Sequence, residues 1–225
     1  MTEGESRGGF YVGTSGWSYP TWKPGFYPAG TRQREFLRYY AERFDTVELN
    51  TTGYRLPAEE QFRRWAAETP DRFRFAVKLP HPNRAAAFTE RVRALGEKLG
   101  PVRIVVQQSR DEALLERLLG SLDPALEWAL DFRHESWAGV DTGRAAVVGA
   151  LDGDAPFRYL RLREPPYTEA ELADWAGRLR PLLDHGLRIY AYFKHEDEPL
   201  APRYAVRLRE LLGESSVSTS SSQRG

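Results

Sequence analysis

Eight short runs rich in β-branched and aromatic residues recur along nearly the whole chain, and amphipathic stretches separate most of them. The runs are FYVGT (10–14), DTVELN (45–50), FRFAVKL (73–79), VRIVVQ (102–107), EWALDF (127–132), AAVVGAL (145–151), FRYLRLR (157–163) and RIYAYFK (188–194). Helical periodicity occupies 31–43, 58–68, 84–98, 111–121, 168–184 and 200–212. Strands joined by helices run parallel, because each helix carries the chain back to the edge where the previous strand began. The pattern predicts a parallel α/β sheet, either closed into a TIM-barrel-like β-barrel with outer helices or open and doubly wound. Almost nothing separates the sixth run from the seventh, so irregularity is expected around the sixth strand.

Side-chain parity favours closure. One face of the strands is apolar: Val47 and Leu49, Phe75 and Val77, Ile104 and Val106, Leu130 and Phe132, Leu160 and Leu162, Ile189 and Phe193. The other face ends in Glu48 and Asn50, Lys78, Gln107, Asp131 and Arg133, Arg161, and Tyr192 and Lys194. An open sheet covered by helices on both sides would be apolar on both faces. Polarity confined to one face, near the C-terminal strand ends, is the signature of a barrel with a wet functional mouth.

Composition narrows the class further. The 225 residues carry 32 cationic and 32 acidic side chains, so no global charge draws the chain to nucleic acid or to a membrane surface. Only four of those cations are lysines, Lys23, Lys78, Lys98 and Lys194, which draws attention to each lysine retained. The absence of cysteine excludes disulfides, thiolate nucleophiles and Cys-based zinc sites. No stretch has the length and apolarity of a signal peptide or membrane span, so a cytoplasmic location is expected. Residues 10–213 are read as one domain, flanked by a disordered N-terminus (1–9) and a disordered Ser-rich tail (214–225).

Four segments add a more specific signal: VGTSGWSYPTWKPGFYP (12–28), YAERFDTVELNTTGYRLP (40–57), FRFAVK (73–78) and DFRHESW (131–137). In this order they resemble the YecE-like family, domain of unknown function 72, over nearly all of the folded chain. The resemblance implies a TIM-barrel-like fold related in shape to sugar isomerases and a barrel-type endonuclease, and it implies no assigned activity. The chain departs from the family pattern at Gly53, where Phe is usual, and at Asp131, where the acidic side chain is longer. It departs again in QSRD (108–111), RLRE (161–164) and the Lys194–His195 pair. Most departures fall at the barrel mouth.

The chemistry-bearing candidates also gather there. Glu48 and Asp131, on the second and fifth strands, could divide acid and base roles. They could equally be interior ion-pair partners, Glu48 with Lys78 and Asp131 with Arg133 or Arg161. Lys78 suits electrostatic stabilisation, or Schiff-base chemistry if burial lowers its pKa. His134 is the general acid/base candidate with a near-neutral intrinsic pKa. His81 and His195 follow other strands, but no H-x-H or H-x-x-x-H spacing supports a metal site. Lys78, Arg133, Arg161 and Lys194 outnumber the two carboxylates and suggest an anion site.

Trp17, Asn50, Tyr54, Arg55, Gln107, Trp137 and Tyr192 complete the expected substrate-binding set. The aromatics of the first loop, Trp17, Tyr19, Trp22, Phe26 and Tyr27, fit a self-packed loop as well as a stacking platform. The sequence thus points to a small-molecule enzyme acting by acid/base chemistry on an anionic, phosphorylated or sugar-like substrate, with no cofactor. The alternative is a non-catalytic barrel that binds a nucleotide or nucleic acid.

Overall fold

A computed structural model gives the architecture and describes residues 9–50, 57–79, 85–194 and 197–213. Eight parallel strands are joined by helices except between β5 and β7: β1 (Phe10–Ser15), α1 (Phe36–Ala41), β2 (Thr46–Leu49), α2 (Glu59–Ala67), β3 (Arg74–Lys78), α3 (Ala85–Val92), β4 (Leu99–Val106), α4 (Glu112–Ser121), β5 (Trp128–Phe132), β6 (Ala146–Val147), β7 (Phe157–Leu162), α5 (Glu169–Asp184), β8 (Arg188–Phe193) and α6 (Leu200–Leu211). Hydrogen-bonded neighbours run β6-β5-β4-β3-β2-β1-β8-β7, so consecutive strands sit side by side and β1 meets β8. This is a TIM-barrel-like ring, nearly closed. Helix starts follow local chemistry. Asp111 accepts from Leu114 N at 2.9 Å to begin α4, and Thr168 with Glu171 forms a reciprocal capping box at α5.

The seam lies where the sequence suggested irregularity. Strand β6 has two residues, and no helix separates it from β7. Gly149 N donates to Tyr159 O at 2.9 Å, linking the turn after β6 to β7. Arg158 braces that turn, donating to the carbonyls of Leu151, Gly153 and Ala155.

Two apolar layers result from the alternation of side chains. Val47, Leu49, Phe75, Ile104, Leu130, Leu160, Ile189 and Phe193 share one buried cluster with helix residues such as Phe36, Phe62, Leu179 and Leu208. A second cluster fills the barrel with Ala76, Ala129, Ala146, Phe157, Tyr159, Tyr190 and Tyr192. The alanines leave interior volume that longer side chains occupy. The first-loop aromatics pack on themselves and on α1: Trp22 and Tyr27 are fully buried, and Tyr27 stacks on Phe36 at 3.9 Å.

Candidate functional site

The GTSG segment places its serine by two separate backbone devices. Gly13 lets β1 approach β2 so closely that a Cβ there would lie 2.2 Å from Thr46 O. Gly16 adopts φ +91°, open to glycine, and its N–H donates to Glu48 O at 2.9 Å. Between them, Ser15 stands in register with Glu48 and donates to Glu48 Oε2 at 2.7 Å.

Glu48 is completely buried and surrounded by donors. Tyr159 Oη donates to Oε1 at 2.8 Å. Arg161 Nε lies 2.9 Å from Oε1 and 3.0 Å from Oε2. Arg103 Nε lies 2.9 Å from Oε1, an ion-pair contact whose angle is too poor for a hydrogen bond. Arginines of β4 and β7 thus make ion-pair contacts with Glu48, whereas the sequence suggested Lys78 as its partner.

Arg103 is the hub. Its side chain is 1 % exposed, with Glu48 on one side and Asp131 on the other. Its NH1 group donates to Asp131 Oδ2 at 2.5 Å, and NH2 donates to Asn50 Oδ1 at 3.0 Å. The two carboxylates are thus bridged by one guanidinium, an arrangement unlike an acid/base pair facing across an open gap. Ala129, register neighbour of Arg103, and Ala76, register neighbour of Glu48, are too short to compete for that space. Asp131 also accepts from Arg133 NH2 at 2.8 Å and lies 3.9 Å from Arg161 NH1. Asn50 completes the ring by donating to Ser15 Oγ.

Electrostatics follow from this geometry. Burial pushes the Glu48 carboxyl up, but Arg103, Arg161, Ser15 and Tyr159 together outweigh burial and hold it at about 2. Lys78, half-buried beside Arg103 in the β3–β4 register, is pushed below the ordinary lysine range by burial and by Arg103 and Arg161. Arg133 is lowered too, by burial and by neighbouring Arg163, Arg161 and Arg103 against the pull of Asp131. Burial and the adjacent Glu48 push Tyr159 well above the usual phenol range, so it remains a donor.

A pH dependence results. The folded value of Glu48 lies below its unfolded reference of 4.5, so the unfolded chain binds the proton more readily. The stabilisation is complete above that reference and is lost as pH falls toward about 2, on the order of 3 kcal/mol in all. Urea denaturation at pH 5 and near pH 2.5 should show the loss, and Glu48→Gln should flatten it.

The other expected residues are distributed unevenly. Glu48, Asn50, Asp131, Arg133 and Arg161 share the network, with Lys78 beside it. Tyr192 lies beneath, fully buried, with Thr46 Oγ1 at 2.8 Å. Gln107 and Lys194 are exposed just beyond β4 and β8. His134 is exposed and bonds Ser136, capping the turn at 135–137. Trp137 is buried, stacks on Phe132 at 4.5 Å and donates to Gln108 O. Trp17 is half-buried beside Trp65. Tyr54, Arg55, His81 and His195 lie outside the described residues. Among the described residues no three His, Asp or Glu side chains form a metal-ligating group, and no helix is long and apolar enough to cross a membrane.

Ser15, Arg103 and Tyr159 were missed by the sequence reading. All three have the inward parity of their strands, and that parity was the available signal.

Comparison with known proteins agrees with the architecture. A DUF72 family protein from Thermotoga maritima MSB8 superposes with TM-score 0.76 at 26% identity, covering 92% of this chain and 100% of that one. Another from Enterococcus faecalis V583 gives 0.75 at 16% identity, covering 93% and 100%, a likeness of fold alone. UPF0759 protein YecE of Escherichia coli (strain K12) is 41% identical over 70 residues, 31% of this chain and 23% of that protein. UPF0759 protein YunF of Bacillus subtilis (strain 168) is 32% identical over 68 residues, 30% and 23% of the respective chains. The matched segment thus spans less than a quarter of either curated relative. The sequence pattern of the family described as "Protein of unknown function DUF72" matches residues 11–224, and the chain belongs to that family.

Proposed function

We propose that the barrel mouth binds an anionic small molecule and carries out proton-transfer chemistry on it. One observation carries the reading: Lys78, Arg103, Arg133 and Arg161 converge on two carboxylates, Glu48 and Asp131, leaving positive charge in excess. Buried carboxylates that hold arginines in fixed orientation preorganise them for a phosphate or carboxylate, with little reorganisation when the ligand arrives. Lys78 and Arg133 are lowered first by burial and then by neighbouring arginines, and an incoming anion would relieve the second contribution.

In this reading Glu48 serves as a fixed counter-charge, because a carboxyl held at about 2 has little tendency to exchange protons near neutrality. Lys78 is the candidate for proton exchange with the ligand, because it stands in register with Arg103 beside the network and is lowered by burial and by Arg103 and Arg161. Asp131 orients Arg133, the most exposed of the three guanidiniums at 29 %.

Thermal denaturation with phosphate, sulfate and sugar phosphates tests the anion site. A ligand at a hundred times its dissociation constant should stabilise the protein by about 2.7 kcal/mol, and Arg133→Ala should lose most of that gain. No shift with any anion, or an equal shift in the variant, contradicts the proposal.

A further inference from the structure

A cavity of about 790 Å³ opens beside the mouth, between the loop after β1, the start of α1 and one face of α2. Its size falls within the range of small-molecule sites, roughly 300–1,000 Å³. Trp17 and Trp65 line it, edge to face with ring centroids 5.3 Å apart. Both are half-buried. In such a T-shaped pair one indole keeps both faces clear of its partner, and an indole face is a stacking surface for a flat ring.

The remaining lining is polar and weighted toward cations. Arg34, Arg38 and Arg64 stand against Glu35 and Glu68, and Glu35 is already engaged by Arg32. Gln33 and Gln61 contribute amides; Gln33 Nε2 donates to Ser18 Oγ and Gln61 Oε1 accepts from Arg64, which leaves an acceptor on Gln33 and a donor on Gln61 for the edge of a heteroaromatic ring. An inorganic anion held at the arginine network would make no use of these groups.

Asn50 connects the compartments. It lines the cavity, while its Oδ1 accepts from Arg103 at 3.0 Å and lies 3.5 Å from Arg161 NH2. A ligand with an anion at one end and a planar ring at the other can therefore span the shared wall. We infer that the cavity is the base-binding subsite of a nucleotide whose phosphate is held by the mouth arginines. The inference rests on the anion-binding reading above and adds the identity of the ligand's other end.

Calorimetric titration of the full chain with inorganic phosphate, ribose 5-phosphate and adenosine 5′-monophosphate separates the two claims. The nucleotide should bind about 5- to 150-fold more tightly than ribose 5-phosphate, the range a single stacked base supplies. Trp17→Ala should bring that ratio toward one. A 2-aminopurine nucleotide should also lose fluorescence on binding to the parent protein, a readout of stacking that does not depend on the variant's fold. Equal affinity for nucleotide and ribose 5-phosphate overturns the base subsite and leaves the anion site standing. A preference that survives Trp17→Ala, with no quenching of the 2-aminopurine probe, overturns its location. Failure of all three phosphates to bind overturns both claims.

Discussion

Glu48→Gln is expected to lower the melting temperature by roughly 6 to 20 °C, the equivalent of about 3 to 5 kcal/mol in a chain of this size. Glutamine keeps the shape but removes the charge that Arg103 and Arg161 share. It also brings an amino group where only acceptors fit. Tyr159 and Arg161 address Oε1, while Ser15 and Arg161 address Oε2, so either orientation of the amide sets donor against donor. The cost therefore combines stranded cations with unsatisfied buried polar groups. A companion variant, Glu48→Gln with Arg103→Met, should recover part of the loss, because it removes the most deeply buried of the stranded cations while Asp131 keeps Arg133 as its partner. A shift of two or three degrees in the single variant would mean that the network contributes little to folding.

Gly13→Ala is expected to be at least as damaging, for a backbone reason. The added methyl would lie 2.2 Å from Thr46 O and 2.7 Å from Tyr40 Oη. Neither can yield cheaply. The Tyr40 hydroxyl is wedged between β1 and β2, accepting from Thr14 N at 2.8 Å and donating to Thr46 O at 3.0 Å. Making room would part the two strands at the point where Ser15 and Glu48 are placed in register. Overpacking of a close-packed interior costs about 1–3 kcal/mol, and more when backbone must move, so this variant should lose more than 3 kcal/mol in urea denaturation or fail to fold. Gly120→Ala is the control, since nothing lies within 4 Å of its added Cβ. It should be neutral or slightly stabilising.

Much of this architecture was legible in the sequence, since strand parity is a strict period of two and a barrel has only an inside and an outside. Glu48, Lys78, Asp131 and Arg161 could be assigned inward because apolar neighbours such as Val47, Val77, Leu130 and Leu160 fix the phase of their strands. Arg103 does not stand out as the other inward charges do, because it sits midway along β4 and not at a C-terminal strand end. Its inward parity, beside the alanine at 129 on the next strand, was the signal that a long polar side chain crosses the interior. Gln107 shows the opposite difficulty. Its parity points inward, but β4 ends at Val106 and the side chain is exposed. Trp137 and His134 could not be placed from parity, because both lie in the short turn after β5, where the period of two no longer applies. Trp65 belongs to an outer helix and enters a cavity wall only through the tertiary approach of α2 to the first loop, which local sequence does not encode.

A carboxyl-carbon chemical-shift titration of Glu48 in the folded protein tests the central claim, that a buried carboxylate held by arginines organises the mouth. The expected result is a constant ionised shift from neutral pH down to about pH 3, with a midpoint at about 2. A midpoint at or above the ordinary 4.5 would show that burial, and not the arginines, dominates, and it would return Glu48 to the role of a proton-exchanging group.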